Sequence, residues 1–109
     1  MTIGFEDRGG KTVAVVAGPM TAETSDLFRE QFNAWLQEVS GTPALVVDLA
    51  KVEVMDSSGL GALLGALRRI AEKGGDMRLA ALQPKPRLVF EITRAYKAFD
   101  IFDRVDEAL

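Results

Sequence analysis

One aspartate and two serines stand in a row at Asp56, Ser57 and Ser58, directly before the small and apolar run "GLGALLGAL". These residue types support three chemistries. An Asp or Ser at a strand-to-helix junction accepts hydrogen bonds from the free N–H groups of the first helical turn. That role accounts for one of the three polar residues. A hydroxyl at the same place is also a position for a phosphoryl group, because the helix dipole and free N–H groups favour negative charge there. The third chemistry is nucleophilic. A serine nucleophile needs a base within hydrogen-bond reach, and the nearest candidates, Asp56 and Lys51, stand in no known catalytic spacing.

The residues after the serines are unusual for a helix. Glycine costs about 1 kcal/mol relative to alanine in a helix interior, yet Gly59, Gly61 and Gly65 sit in or beside this one. At about 100° per residue, Leu60, Leu63, Leu64, Leu67, Ile70 and Ala71 share one face, assigned to the core. Gly61, Ala62, Gly65, Ala66, Arg68, Arg69, Glu72 and Lys73 share the other. Its first two turns therefore carry no long polar side chain, where a solvated face normally carries Glu, Lys or Gln. Two readings follow. Gly61 and Gly65 pack under a loop of the same chain, or they form a docking face for a partner protein. A phosphoryl group on Ser57, adding about −1.5 to −2 charges, would stand beside Asp56 at the edge of that face. It would disturb docking and leave the fold intact.

Several function classes are excluded by absence. The chain has no Cys and no His, so disulfides, thiol catalysis, thiolate metal sites and a Ser-His-Asp triad are out. Carboxylate, Ser-Lys or Mg²⁺ chemistry stays formally open. A net charge of −3 argues against nonspecific nucleic-acid binding, which wants a basic surface. No apolar run approaches the ~18–20 residues needed to cross a bilayer. No basic-then-apolar leader opens the chain, and a cytoplasmic location is expected. Nor is there a phosphate-cradling GxxxxGK[ST], so no cofactor and no metal are expected.

The surrounding elements must position the junction. "TIGFED" and "TVAVVA" (12–17), joined by the glycine turn in "DRGGK", read as a hairpin. From Ala22, Leu27, Phe28, Phe32, Trp35, Leu36 and Val39 recur at helical spacing, with Thr21 as N-cap and Glu23 in the first turn. "SGTP" stops that helix. "ALVVDLA" (44–50) suits a central strand, and "KVEV" extends or follows it. The glycine-bearing helix runs to about Lys73. "MRLAAL" (77–82) reads as another buried strand. Pro86 suits the first position of a last helix, in which Leu88, Ile92, Tyr96 and Phe99 keep helical spacing. A short extended or mixed segment closes the chain. At 109 residues one domain, 1–109, is expected. The order β-β-α-β-α-β-α predicts an α/β fold, a mixed β-sheet of four to five strands packed with helices.

The stretch from Leu45 to Leu82 resembles the anti-sigma factor antagonists of the bacterial STAS-domain family. The element order and length fit that family over the whole chain, and "MDSSGLG" (55–61) is specific for its phosphoswitch branch. The resemblance implies a protein that catalyses nothing. It binds an anti-sigma factor with serine kinase activity and so frees a sigma factor for transcription. The kinase phosphorylates the serine after the motif's Asp, here Ser57 and not Ser58, with Asp56 orienting its hydroxyl. The phosphorylated form releases the kinase, and a serine phosphatase resets it. Asp56, Ser58, Gly59, Gly61, Ala62, Gly65 and Thr21 are the implied partner-binding residues. ATP belongs to the kinase.

Two departures from the family pattern stand out. Where the family often has Gly-Glu-hydrophobic-Asp after the second strand, this chain has "GPMT" (18–21). Gly18 is kept, Pro19 replaces the Glu, and Thr21 stands in the Asp position, which bears on partner identity. Arg94 replaces a glycine after the third helix. The same fold and serine would also serve a STAS module in another assembly: stressosome-like, chemoreceptor-linked, or a transporter accessory subunit. A small enzyme or nucleotide-binding protein using Asp56 and Ser57 is the third reading.

Overall fold

Residues 1–109 are described by the computed structural model. Strands β1 (Thr2–Arg8) and β2 (Lys11–Ala17) form the expected hairpin. Arg8 pairs with Lys11, so only Gly9 and Gly10 lie between the strands, at φ 64° and 88°. Two positive φ values are what a tight hairpin turn demands, and glycine adopts them without steric cost. The chain continues through α1 (Ser25–Glu38), β3 (Ala44–Lys51), α2 (Ser57–Glu72), β4 (Asp76–Ala80), α3 (Pro84–Ile92), a 3₁₀ turn (Ala95–Lys97), β5 (Asp100–Phe102) and α4 (Val105–Ala108). The sheet order is β1-β2-β3-β4-β5, antiparallel at β1/β2 and parallel elsewhere. The mixed five-stranded sheet and the element order agree with the expectation from sequence.

Strand alternation divides the sheet into two faces. Ala14, Val16, Leu45, Val47, Leu49, Met77 and Leu79 join one core with residues of α1, α2 and α3. Val13, Val46 and Ala80 face the other way and are covered by Ala108 of α4. Arg78 donates to the Ala108 carbonyl at 2.9 Å, and Lys11 bonds Leu109, so the short α4 is pinned to the sheet.

Four local expectations are corrected. The first helix begins at Ser25, with Thr24 rather than Thr21 as N-cap. Residues 21–24 form a turn instead: the Thr24 and Ser25 N–H groups and the Ser25 hydroxyl all donate to the Thr21 carbonyl. Glu23 precedes the helix, and Asp26 is the acid of its first turn. The fourth strand ends at Ala80, because Ala81 turns the chain at φ 62°. The third helix starts at Pro84, two residues before Pro86, and ends at Ile92. Beyond it Arg94 adopts φ 60°, a left-handed conformation that breaks the helix. Leu88, Ile92 and Tyr96 lie exposed, and Phe99 alone of that series is buried, edge-on to Phe90 at 5.6 Å.

The fourth correction concerns the α2 wheel. Ala62 and Ala66, assigned to the outer face, are 1% and 3% exposed, while Ala71 is exposed. A second neighbour causes the shift. α2 lies on the sheet and also against α1, whose Phe28 and Phe32 share a groove lining with Ala62 and Ala66. Small side chains sit where the two helices approach, so the buried arc is wider than the leucine stripe.

Candidate functional site

The site is built where β2 and β3 run out of sheet. Past the strand ends, residues 18–22 still travel beside residues 51–56. Gly18 N–H donates to the Lys51 carbonyl (3.0 Å), Met20 N–H to Val54 (2.9 Å), and Asp56 N–H back to Met20 (3.2 Å). Val52 and Met55 bury their side chains beneath this extension, and Met20 is buried with them. Glu53 and Val54 are left outside, with Val54 45% exposed.

Asp56 ends the extension and caps α2. Its Oδ1 accepts from Ser58 N–H (2.9 Å) and Gly59 N–H (3.1 Å). Oδ2 accepts from Ala22 N–H (3.1 Å), which ties the loop before α1 to the start of α2. These N–H groups, Gly59 first, outweigh desolvation and hold the Asp56 carboxyl below its usual range. The carboxylate is therefore ionised and committed to backbone donors. It does not orient the Ser57 hydroxyl, as the resemblance led one to expect. Capping explains Asp56 completely and leaves the two serines free of that duty.

Ser57 is the first residue of α2 and is exposed, and its hydroxyl makes no hydrogen bond within the chain. Its position at the end of a 16-residue helix puts it in the positive end of the dipole. Ser58 is half-buried, with its N–H held by Asp56. The two hydroxyls thus differ in access, and Ser57 is the open one.

The partner-binding residues implied by the resemblance separate into two groups. Gly59 is buried, and a Cβ there would lie 2.1 Å from the Met20 carbonyl oxygen. It is glycine so that α2 can approach the Met20 backbone. Ala62 is 1% exposed and lines the groove between α1 and α2. Neither presents an exposed side chain. Gly61 and Gly65 are half-buried, and a Cβ on either meets no atom within 4 Å. Neither packs under a loop of this chain. Thr21 is half-buried beside Ala22, so it lies close to the Asp56 side of the junction. Thr21, Asp56, Ser57 and Ser58 lie at the junction, Gly61 one turn along α2, and Gly65 a further turn along it in the groove against α1.

Two participants escaped the sequence reading. Met20 supplies the carbonyl against which Gly59 packs and the backbone that clamps residues 54–56. Val54 adds an exposed apolar side chain two residues before Asp56. The signal for Met20 was the glycine at 59, whose close neighbour sequence alone does not name. A cavity of about 620 Å³ between α3 and β5 contains none of the junction residues. It is lined by Arg87, Phe90, Tyr96 and Phe99 among others.

This geometry can be set against known proteins. The STAS domain family model matches residues 3–108. The chain belongs to the STAS domain family. This STAS domain is 29% identical over 109 residues to an anti-sigma F factor antagonist of Paenibacillus polymyxa, covering all of this chain and 92% of that protein. It is 32% identical over 78 residues to an anti-sigma-B factor antagonist of Listeria monocytogenes, covering 72% of this chain and 67% of that one. A crystal structure of an anti-sigma factor antagonist from Mycobacterium paratuberculosis superposes on the STAS domain with TM-score 0.86 at 28% identity. That match covers 98% of this chain and 89% of the other. No helix of the chain is long and apolar enough to cross a membrane.

Proposed function

We propose that this STAS domain is an anti-sigma factor antagonist, switched by phosphorylation of Ser57. The unmodified form binds an anti-sigma factor with serine kinase activity and releases a sigma factor. The kinase modifies Ser57, the complex parts, and a serine phosphatase restores the hydroxyl. The relatives named as antagonists support the binding role. The observation that carries the switch is the exposed, unbonded Ser57 hydroxyl at the N-terminus of α2, beside a capping Asp56 that already satisfies the backbone. A phosphoryl group can enter there without displacing any structural bond. Asp56 and the incoming dianion then stand together at the edge of the surface formed by Gly61 and residues 18–22.

In this reading the chain is a substrate and a binder with no catalysis of its own, and it works in the cytoplasm alongside its sigma factor. Ser58, half-buried with a tethered N–H, is not the acceptor. The test is a pull-down from the source organism with wild-type and Ser57→Asp baits, followed by kinase treatment and mass-spectrometric mapping. An anti-sigma factor captured only by wild type, with phosphate on Ser57, is the expected result. Capture of a permease or chemoreceptor component by both baits would favour the STAS module of another assembly. Phosphate mainly on Ser58 would move the switch by one residue.

A further inference from the structure

The groove between α1 and α2 carries charge that the fold does not use. It encloses about 230 Å³. Phe28, Phe32 and Ala66 line it, each 3% exposed or less, and Gly65 leaves one side open. Arg29, Arg68 and Arg69 also line it, in a chain whose net charge is −3. Asp26 is the one carboxylate in ion-pair contact with any of the three, at 3.5 Å from Arg29, and its side chain is fully solvated. Such a pair offsets little of the charge. Arg69 donates to the Asn33 amide oxygen. Arg68 is exposed and has neither an ion pair nor a hydrogen bond. An apolar slot lined by three arginines, with one solvated acid paired to them, carries net positive charge.

We propose that this groove receives an acidic segment of the anti-sigma factor, with an aliphatic side chain seated beside Gly65 and flanking carboxylates on Arg68 and Arg29. The proposal rests on the antagonist reading above and names the chemistry of the partner's contact. Guanidinium groups bind carboxylates in a planar, two-pronged geometry that suits such a clasp. A phosphate polymer fits less well, since the slot is apolar and the chain as a whole repels polyanions. Gly65 lies eight residues from Ser57, about 12 Å along the helix at 1.5 Å per residue. The groove is therefore a second contact, separate from the phosphorylated end. Rim charges of this kind govern association rate and its salt dependence, while the Ser57 end decides whether the complex holds.

The test measures association and dissociation of the purified anti-sigma factor recovered by the wild-type bait, at low and high salt. Wild type, Arg68→Glu, Gly65→Leu and Ser57→Asp are compared. Arg68→Glu is expected to slow association about tenfold at low salt and to flatten the salt dependence, with an unchanged melting temperature. Gly65→Leu fills the groove without changing charge. It is expected to speed dissociation about tenfold and keep the wild-type salt dependence. Wild-type association in Arg68→Glu, or wild-type dissociation in Gly65→Leu, overturns the proposal. If wild type binds, Ser57→Asp does not, and Arg68→Glu behaves as wild type, the groove alone is refuted. If wild type itself binds no anti-sigma factor, the antagonist reading fails and the groove proposal falls with it.

Discussion

Replacing Gly59 by alanine reverses the ordinary rule for helices. Elsewhere in a helix the exchange stabilises by up to about 1 kcal/mol, because alanine loses less backbone entropy. At Gly59 the added Cβ would lie 2.1 Å from the Met20 carbonyl oxygen, 2.7 Å from its carbonyl carbon and 2.9 Å from its Cβ. Two of those atoms are backbone, so no side-chain rotation relieves the contact. The Met20 segment would have to move, and it is held by Met20 N–H to Val54 and Asp56 N–H to Met20. Overpacking costs about 1–3 kcal/mol, and weakening the two hydrogen bonds adds about 1 kcal/mol each. Against the helical gain of about 1 kcal/mol, the net loss is about 2–4 kcal/mol. For a domain of this size that lowers Tm by roughly 10 °C. Gly65→Ala is the control on the same helix. Nothing lies within 4 Å of its Cβ, so it should raise stability by about 0.5–1 kcal/mol. Thermal and urea unfolding of both variants measure the pair. A Gly59→Ala protein as stable as wild type, or a Gly65→Ala protein less stable, would refute the packing account of α2.

Three further predictions follow from the same geometry. Asp56 has its folded pKa lowered by backbone donors, so the stability it contributes is present above the ordinary carboxylate pKa and is lost as pH falls through the folded value; Asp56→Asn should flatten that part of the acid unfolding profile. Arg94→Gly should stabilise by about 0.5–1 kcal/mol in urea unfolding, as relief of the left-handed strain at φ 60° exceeds the added entropy of the unfolded glycine. Phosphorylation of Ser57 should change unfolding stability by about 1 kcal/mol or less, the dipole's gain opposing repulsion from Asp56. Its NMR shifts should stay within residues 54–62 and 18–22, and large shifts at 77–82 or in α3 would indicate a rearrangement of the fold instead.

The hairpin, the buried strand at 44–50 and the cap at Asp56 were legible because each depends on its own few residues. Gly9 and Gly10 specify the turn, and the apolar run at 13–17 marks β2 as a strand. The Ser57 junction was legible for the same reason, as an acid and hydroxyls before an apolar run. What escaped depends on contacts between distant segments. Ala62 and Ala66 read as a bare outer face because no helical wheel contains α1. Gly59 and Gly65 look alike in sequence, yet one meets the Met20 carbonyl and the other meets nothing. Sequence alone extends the third helix too far, because Leu88, Ile92 and Tyr96 keep helical spacing and nothing local announces that Arg94 turns left-handed. The cationic groove needs two helices side by side and has no signature in either alone.

In the proposed switch, one phosphoryl group on Ser57 controls docking while the fold stays as it is. Isothermal titration of the anti-sigma factor into unmodified and Ser57-phosphorylated protein tests it most directly. A dianion placed unpaired in a protein interface costs several kcal/mol, and each 1.4 kcal/mol is tenfold in Kd. The phosphorylated form should therefore bind at least about a hundredfold more weakly, with an unchanged backbone conformation. Equal affinity of the two forms would contradict the account.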